Sequence, residues 1–192
     1  MLKVNKKSEP AEFTKYKSKN KIINWDSFTA EIKQVLKQYL LEEQENSCCP
    51  YCEIEINLEN SHIEHIKPKN TFPNFLANYS NFTACCLTKK RCGDSKASNW
   101  NELFINPVTE NPEDYFEYDI KTGRIISLFK EGEKYKKGEY TINLLNLNDN
   151  RLCEIRKRYI FEFLNYSKYS KNSLSDYPIK FPSLRRYLEA RV

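Results

Sequence analysis

Cys49-Pro50-Tyr51-Cys52 and Ser61-His62-Ile63-Glu64-His65-Ile66-Lys67-Pro68-Lys69 are the stretches on which the reading of this chain turns. Two thiolates three positions apart on a tight knuckle can grip one tetrahedral metal ion. A second group, Cys85-Cys86 and then Cys92, supplies the other half of a four-thiolate site. Cys49, Cys52, Cys86 and Cys92 are therefore the expected ligands of a structural zinc, with Cys48 and Cys85 as alternates. The plainer alternative is a set of buried free thiols. It fits poorly, because six of the seven cysteines fall between positions 48 and 92, a density that in a reduced compartment favours metal binding or catalysis over disulfides. Cys153 stands apart in a helical pattern and reads as a small buried hydrophobe.

Both histidines of the chain lie between the cysteine groups. Period-two spacing puts His62 and Glu64 on one strand face, with His65 where the strand meets its proline turn. A strand end that offers imidazole and carboxylate together suits a hard divalent cation and a general base. The alternative is that one histidine completes the zinc site of a three-Cys, one-His knuckle. Lys67, Lys69, Lys89, Lys90, Arg91 and Lys96 give the window 62–96 a net charge of +4, which suits a phosphate-rich partner.

Outward from this window the chain is ordinary. Its 192 residues allow one domain with room for a small second lobe. A composition that is 40% hydrophobic and 30% charged with 4 glycines excludes a disordered chain, a collagen-like one and a Gly-rich phosphate loop. The formal charge of +5 equals the charge of residues 1–21, and the remainder is neutral only by cancellation: −6 over 22–61, +4 over 62–96, −4 over 97–149 and +6 over 150–192. Residues 1–25 read as a basic, extended N-terminal arm, 26–100 as a helix plus the metal-stabilised core, and 101–192 as an α+β extension packed on that core. The first helix is expected from an Asp26 cap to about Ser47, with Phe28, Ile32, Val35, Leu36, Tyr39 and Leu40 as its core stripe. Tyr115–Ile120 and Arg124–Ser127 around Gly123 read as a hairpin, and Lys130–Gly138 as a charged loop. A second helix is expected from about Asn148, burying Leu152, Ile155, Tyr159, Ile160 and Phe163 and solvating Arg151, Arg156, Lys157 and Arg158. A short helix follows Pro182. No apolar run approaches the ~20 residues of a membrane span, and the basic start lacks an apolar segment behind it, so a cytoplasmic protein without a membrane partner is the expectation.

The pattern as a whole resembles the HNH (ββα-metal) endonuclease family. Its parts here are the Cys49/Cys52 knuckle, the Glu64-His65-Ile66-Lys67-Pro68 turn, Asn81, and Cys86 and Cys92 with Lys96. Leu40–Gln44, Cys52-Glu53, His62–His65, Phe72-Pro73, Cys92-Gly93, Thr109–Asp114 and Leu145–Asn148 narrow the resemblance to the PtuB-like HNH subunit of Septu-type anti-phage systems, also found as a retron effector. The resemblance implies an α+β fold: a ββα-metal core with a four-Cys zinc knuckle, preceded by an amphipathic helix and followed by a hairpin and C-terminal helices. It implies that His65 is the general base, that Glu64 binds a catalytic Mg²⁺ or Mn²⁺, and that Asn81 pins the loop carrying the histidine. Where the family carries a further metal-site Asn or His, this chain has Gly93, so Asp94 is the substitute; His62 is then a further metal ligand or a phosphate contact. Lys67, Lys69 and Lys96 are the expected contacts to DNA or RNA, and an ATPase is the expected protein partner.

Two rivals remain at this level. His62-Ile63-Glu64 mimics the H-x-E element of zinc nucleobase deaminases, but no P-C-x-x-C follows it. A non-catalytic zinc ribbon that binds nucleic acid or protein explains the cysteines and lysines but not Glu64-His65 beside Asn81.

Overall fold

In a computed structural model that describes residues 1–169 and 174–192, the chain is a mixed α/β protein. Among the described residues it has two antiparallel two-stranded sheets and six α-helices. The helix α1 (Ala11–Lys19) precedes α2 (Ala30–Glu43), whose buried face is Ile32, Leu36, Leu40 and Leu41. Thr29 begins α2 by accepting the Ile32 N–H on its side chain. The helix thus starts later than an Asp26 cap would have it, because Asp26 is held in a short 3₁₀ turn, Trp25–Ser27, closed by Asn24 and Ser27. It also ends earlier, since Asn46 and Ser47 take left-handed backbone angles.

Strands β1 (Ser61–His65) and β2 (Phe82–Cys86) form the hairpin that positions the site. Their register pairs Ser61 with Cys86, His62 with Cys85, Glu64 with Thr83 and His65 with Phe82. The cysteines therefore lie at one end of the ribbon and Glu64-His65 at the other. Every residue of β2 is buried, which fits its apolar or small composition, Phe-Thr-Ala-Cys-Cys. The short helix α3 (Gly93–Lys96) follows directly after Cys92.

Strands β3 (Phe116–Asp119) and β4 (Arg124–Ser127) make the second hairpin, as its alternating pattern predicts. Helices α4 (Gly132–Leu144), α5 (Asn150–Tyr169) and α6 (Pro182–Glu189) complete the chain. Most of the segment expected as a charged loop at Lys130–Gly138 is thus the first half of α4, from Gly132; its buried face, Gly138, Thr141 and Ile142, has helical spacing but begins only where the charged run ends. On α5 two positions exchange roles: Ile155 is exposed, while Arg156 is fully buried, donating to the Leu147 carbonyl at 2.8 Å. Cys153 is buried, as expected.

Residues 1–21 are not an extended arm. Met1, Leu2, Val4 and Phe13 are buried, and Phe13 packs at 5.7 Å from Phe28 and 6.0 Å from Phe82. Much of the arm's charge is committed: Lys6 pairs with buried Glu43, Lys17 with Glu9, and Lys3 donates to the Val108 carbonyl. One contiguous apolar cluster runs from Phe13, Leu36 and Phe82 to Leu147, Ile160, Phe163 and Leu184. Fully burying each such side chain stabilises by roughly 1.5–3 kcal/mol.

Candidate active site and metal centre

The knuckle forms because Glu53, at φ 64°, turns the chain back so that its N–H reaches the Cys49 carbonyl at 2.8 Å. The sulfurs of Cys49, Cys52, Cys86 and Cys92 then lie within 4.8 Å of one another, all buried, an arrangement able to hold a metal ion. Hydrogen bonds from the surrounding thiols hold Cys86 well below the ordinary thiol range. Cys85, one of the two alternates, sits behind the set at 3.8 Å from Cys49 Sγ and accepts the Gly93 N–H at 3.4 Å. Cys48, the other, is outside the set, and burial pushes its thiol up to about 12. Burial works against the Arg91 charge, but Cys52, Cys92 and Cys86 facing it raise its pKa. Its guanidinium reaches Asp149 at 3.5 Å and Thr88 Oγ1 at 3.2 Å.

At the other end of the ribbon, His65 is buried between Trp25 and Phe82, both edge-on at 4.8 and 4.9 Å. Its Nε2 lies 3.2 Å from the Leu76 carbonyl. A carbonyl only accepts, so Nε2 carries the proton and Nδ1 the lone pair. Burial pushes the His65 pKa down to about 4, which keeps the ring neutral at pH 7. Asn81 clasps the loop after His65: Oδ1 accepts the Lys67 N–H at 2.8 Å, and Nδ2 donates to the carbonyls of Lys67 at 2.9 Å and Phe75 at 3.2 Å.

Glu64 faces His62 and Lys96. Its Oε2 is 3.5 Å from His62 Nε2, and its Oε1 is 2.7 Å from the Lys96 ammonium, which also donates to the His65 carbonyl at 3.0 Å. Burial opposes ionisation of Glu64, but the His62 imidazole and the Lys96 ammonium outweigh it and hold the carboxyl below its usual range. Gly93 lies against the same pair: a Cβ there would fall 2.9 Å from Glu64 Oε2 and 3.1 Å from His62 Nε2.

No family model matches the chain. Relatives do. It is 28% identical to the candidate HNH endonuclease of retron Vc95 from Vibrio cholerae serotype O1 biovar El Tor, over 94% of this chain and 93% of that protein. It is 25% identical to the candidate HNH endonuclease of retron Ec83 from Escherichia coli, over 88% of this chain and 82% of that protein. Against the Septu protein PtuB of Bacillus thuringiensis the identity is 32%, over 60% of this chain and 42% of that protein. Along most of its length the chain is similar to HNH-type proteins of retron and Septu systems.

The ribbon brings His62, Glu64 and Lys96 together, with His65 and Asn81 at its far end. Asp94 makes its direct contacts elsewhere. It is exposed and accepts the Lys90 N–H at 2.7 Å and the Lys89 ammonium at 3.1 Å, closing the turn before α3. Among the described residues, the four cysteines are the one set of three or more His, Cys, Asp and Glu ligand atoms that converge. Lys96, expected at the nucleic acid, is 1% exposed and sits beneath Glu64 instead. Lys67 lies among three rings, 5.5 Å from Phe72, 4.8 Å from Phe75 and 4.7 Å from Trp100, while Lys69 lies 6.0 Å from Trp25. Sequence reasoning missed Trp25 and the Leu76 carbonyl, which meet His65 only through tertiary packing and leave no local signal.

Proposed function

We propose that the chain is a metal-dependent HNH endonuclease that hydrolyses phosphodiester bonds, in DNA first and RNA second, as the nuclease of an anti-phage system acting with an ATPase. In this reading β1, β2 and α3 are a ββα-metal core, and Cys49, Cys52, Cys86 and Cys92 hold a structural zinc, the ion that four converging sulfurs suit. The observation that carries the reading is His65: neutral at pH 7, with its proton on Nε2 toward the Leu76 carbonyl and the lone pair on Nδ1. Such an imidazole takes the proton of the attacking water. Asn81 holds the loop that aims it.

The donors present for a hard cation are Glu64 and His62. This pair fits Mg²⁺ or Mn²⁺, which keep several waters and need few protein ligands before substrate phosphate arrives. When bound, the cation stabilises negative charge on the phosphate and the leaving oxygen. Lys96 keeps Glu64 ionised and in place, and Lys69 supplies a phosphate contact. The Lys96–Glu64 pair also favours a second reading, a zinc-bound module that binds without cutting, because the carboxylate already has a cation.

Incubation with plasmid DNA and with tRNA, with and without Mn²⁺ or Mg²⁺, separates the two. Cutting that requires added metal and falls about 10²–10⁴-fold in His65→Ala is expected. Substrates that stay intact with both proteins, alone and with any ATPase that co-purifies, would overturn the nuclease.

A further inference from the structure

A groove of about 640 Å³ runs in front of the β1 strand, between it and α2, lined by Trp25, Lys33, Lys37, Ser61, His62 and Lys69 among others. Its wall holds three lysines and no carboxylate. The other large hollows mix both signs: the one beside α5 has Glu53, Glu55 and Lys180, and the one beneath Trp100 has Glu102, Glu110, Lys67 and Lys137. Lys37 is already engaged, donating to the Leu58 carbonyl and, at 3.2 Å, to that of Ser61. The Lys33 and Lys69 ammonium groups have no hydrogen-bond or carboxylate partner among the described residues; they lie over the Trp25 ring, 5.2 and 6.0 Å from its centroid. The same indole meets His65 edge-on at 4.8 Å.

Resting on the nuclease reading above, we infer that this groove binds an unpaired strand of nucleic acid, with one base stacked on Trp25 and the flanking phosphates on Lys33 and Lys69. Every base has a π face, so stacking on an indole is indifferent to sequence, and the two ammonium groups over the ring, neither paired with a carboxylate, can turn to the flanking phosphates. A base inside a duplex cannot lie on Trp25 without leaving its own stack, so the groove selects single strands, loops or frayed ends. Because Trp25 touches His65, a strand seated there brings its next phosphodiester to the base. Trp25 comes from the 3₁₀ turn Trp25–Ser27, Lys33 from α2 and Lys69 from the loop that follows β1.

The chain has two tryptophans, so Trp100→Phe leaves Trp25 as the sole indole reporter. Its emission is followed during titration with decathymidylate, decauridylate and a short DNA duplex, without added Mg²⁺ or Mn²⁺, while labelled strands report binding by anisotropy. Saturable quenching by both single strands and little by the duplex is expected. Trp25→Ala loosens single-strand binding about tenfold, and Trp25→Phe less than about threefold. The Lys33→Ala/Lys69→Ala variant, altered on the groove rim, lowers the slope of log K against log salt by about 1.4. Strands that bind with Trp25 emission unchanged, that fail to bind even at low salt, or that bind the lysine variant with the same slope would overturn the groove. Metal-dependent cutting with unchanged KM in the Trp25 and lysine variants also overturns it and leaves the nuclease standing. Quenching and binding as expected with no cutting under any metal supports the groove and overturns the nuclease.

Discussion

The two ends of the β1–β2 ribbon are built on opposite plans. At the cysteine end, four sulfurs converge within 4.8 Å, all buried, with Arg91 facing them. At the Glu64-His65 end, donors stay apart: Glu64 is tied to Lys96, His65 to the Leu76 carbonyl, and Asp94 to the turn before α3. The first arrangement would leave a bound ion no open position, as structural sites do; the second offers a cation fewer protein donors and so leaves positions open. One ribbon register sets both, since pairing Ser61 with Cys86 necessarily pairs Glu64 with Thr83. The hardest way to break the comparison is to remove the closed end. Cys49→Ser/Cys52→Ser, or a strong chelator on the unaltered chain, should abolish the cooperative unfolding transition and metal content together. A structural zinc contributes on the order of 10 kcal/mol in small zinc domains, comparable to the whole ~5–15 kcal/mol net stability of a domain. A variant that stays folded with its metal bound would mean that the cysteine end is not the foundation of the ribbon.

Glu53 asks whether that end stands on metal alone. Directly after Cys52, it is fully buried, receives the Met1 ammonium at 2.6 Å, the Tyr118 hydroxyl at 2.9 Å, and the Ser183 N–H and hydroxyl at 2.8 and 2.6 Å. One carboxylate therefore ties the knuckle to β3 and α6. Burial opposes its charge, but the Met1 ammonium and Ser183 overcome this and hold its pKa at about 2 against an ordinary 4.5. A depressed carboxyl stabilises the fold at pH values above 4.5 and loses that contribution as pH falls toward 2. Glu53→Gln should lower stability by about 3 kcal/mol at pH 7 in urea melts, with the gap to the unaltered chain closing below pH 4.5. A gap that is absent at pH 7, or that persists unchanged into acid, would assign the anchoring to packing instead.

How much of this could be read from the residues follows the same division. The convergence of the four cysteines at the closed end was legible because thiol spacing is a local signal, and so was the second hairpin with Gly123 in its turn, at φ 71°. The role of residues 1–21 was not, because a run of lysines looks the same whether solvated or paired; only the fold brings Glu43 to Lys6. The helix α4 was hidden by its charged, exposed face, and Arg156 by the rule that arginine faces water. At the open end, Glu64, His65 and Asn81 stood out by pattern, whereas Asp94 and Lys96 were placed by spacing alone. A spacing argument cannot tell a side chain that reaches the site from one that caps a turn or lies beneath it.

Gly93 offers the finest cut, because it touches both ends at once. Its N–H donates to Cys85, behind the sulfur set, while its α-carbon abuts Glu64 and His62. Gly93 does not have positive φ, so the backbone accepts alanine, and at the first position of α3 the higher helix propensity of alanine costs nothing. The added methyl meets Glu64 Oε2 at 2.9 Å and His62 Nε2 at 3.1 Å, closer than side-chain atoms tolerate, so the carboxylate or the imidazole must yield. Gly93→Ala should therefore keep its metal content and melting temperature while cutting about tenfold more slowly, roughly 1.4 kcal/mol of barrier. The ion pair to Lys96 sets how far Glu64 can retreat, and with it the size of the loss. Normal cutting with depleted metal would reverse the assignment: Gly93 would then serve the sulfur end through its N–H, and the space beside Glu64 would be incidental.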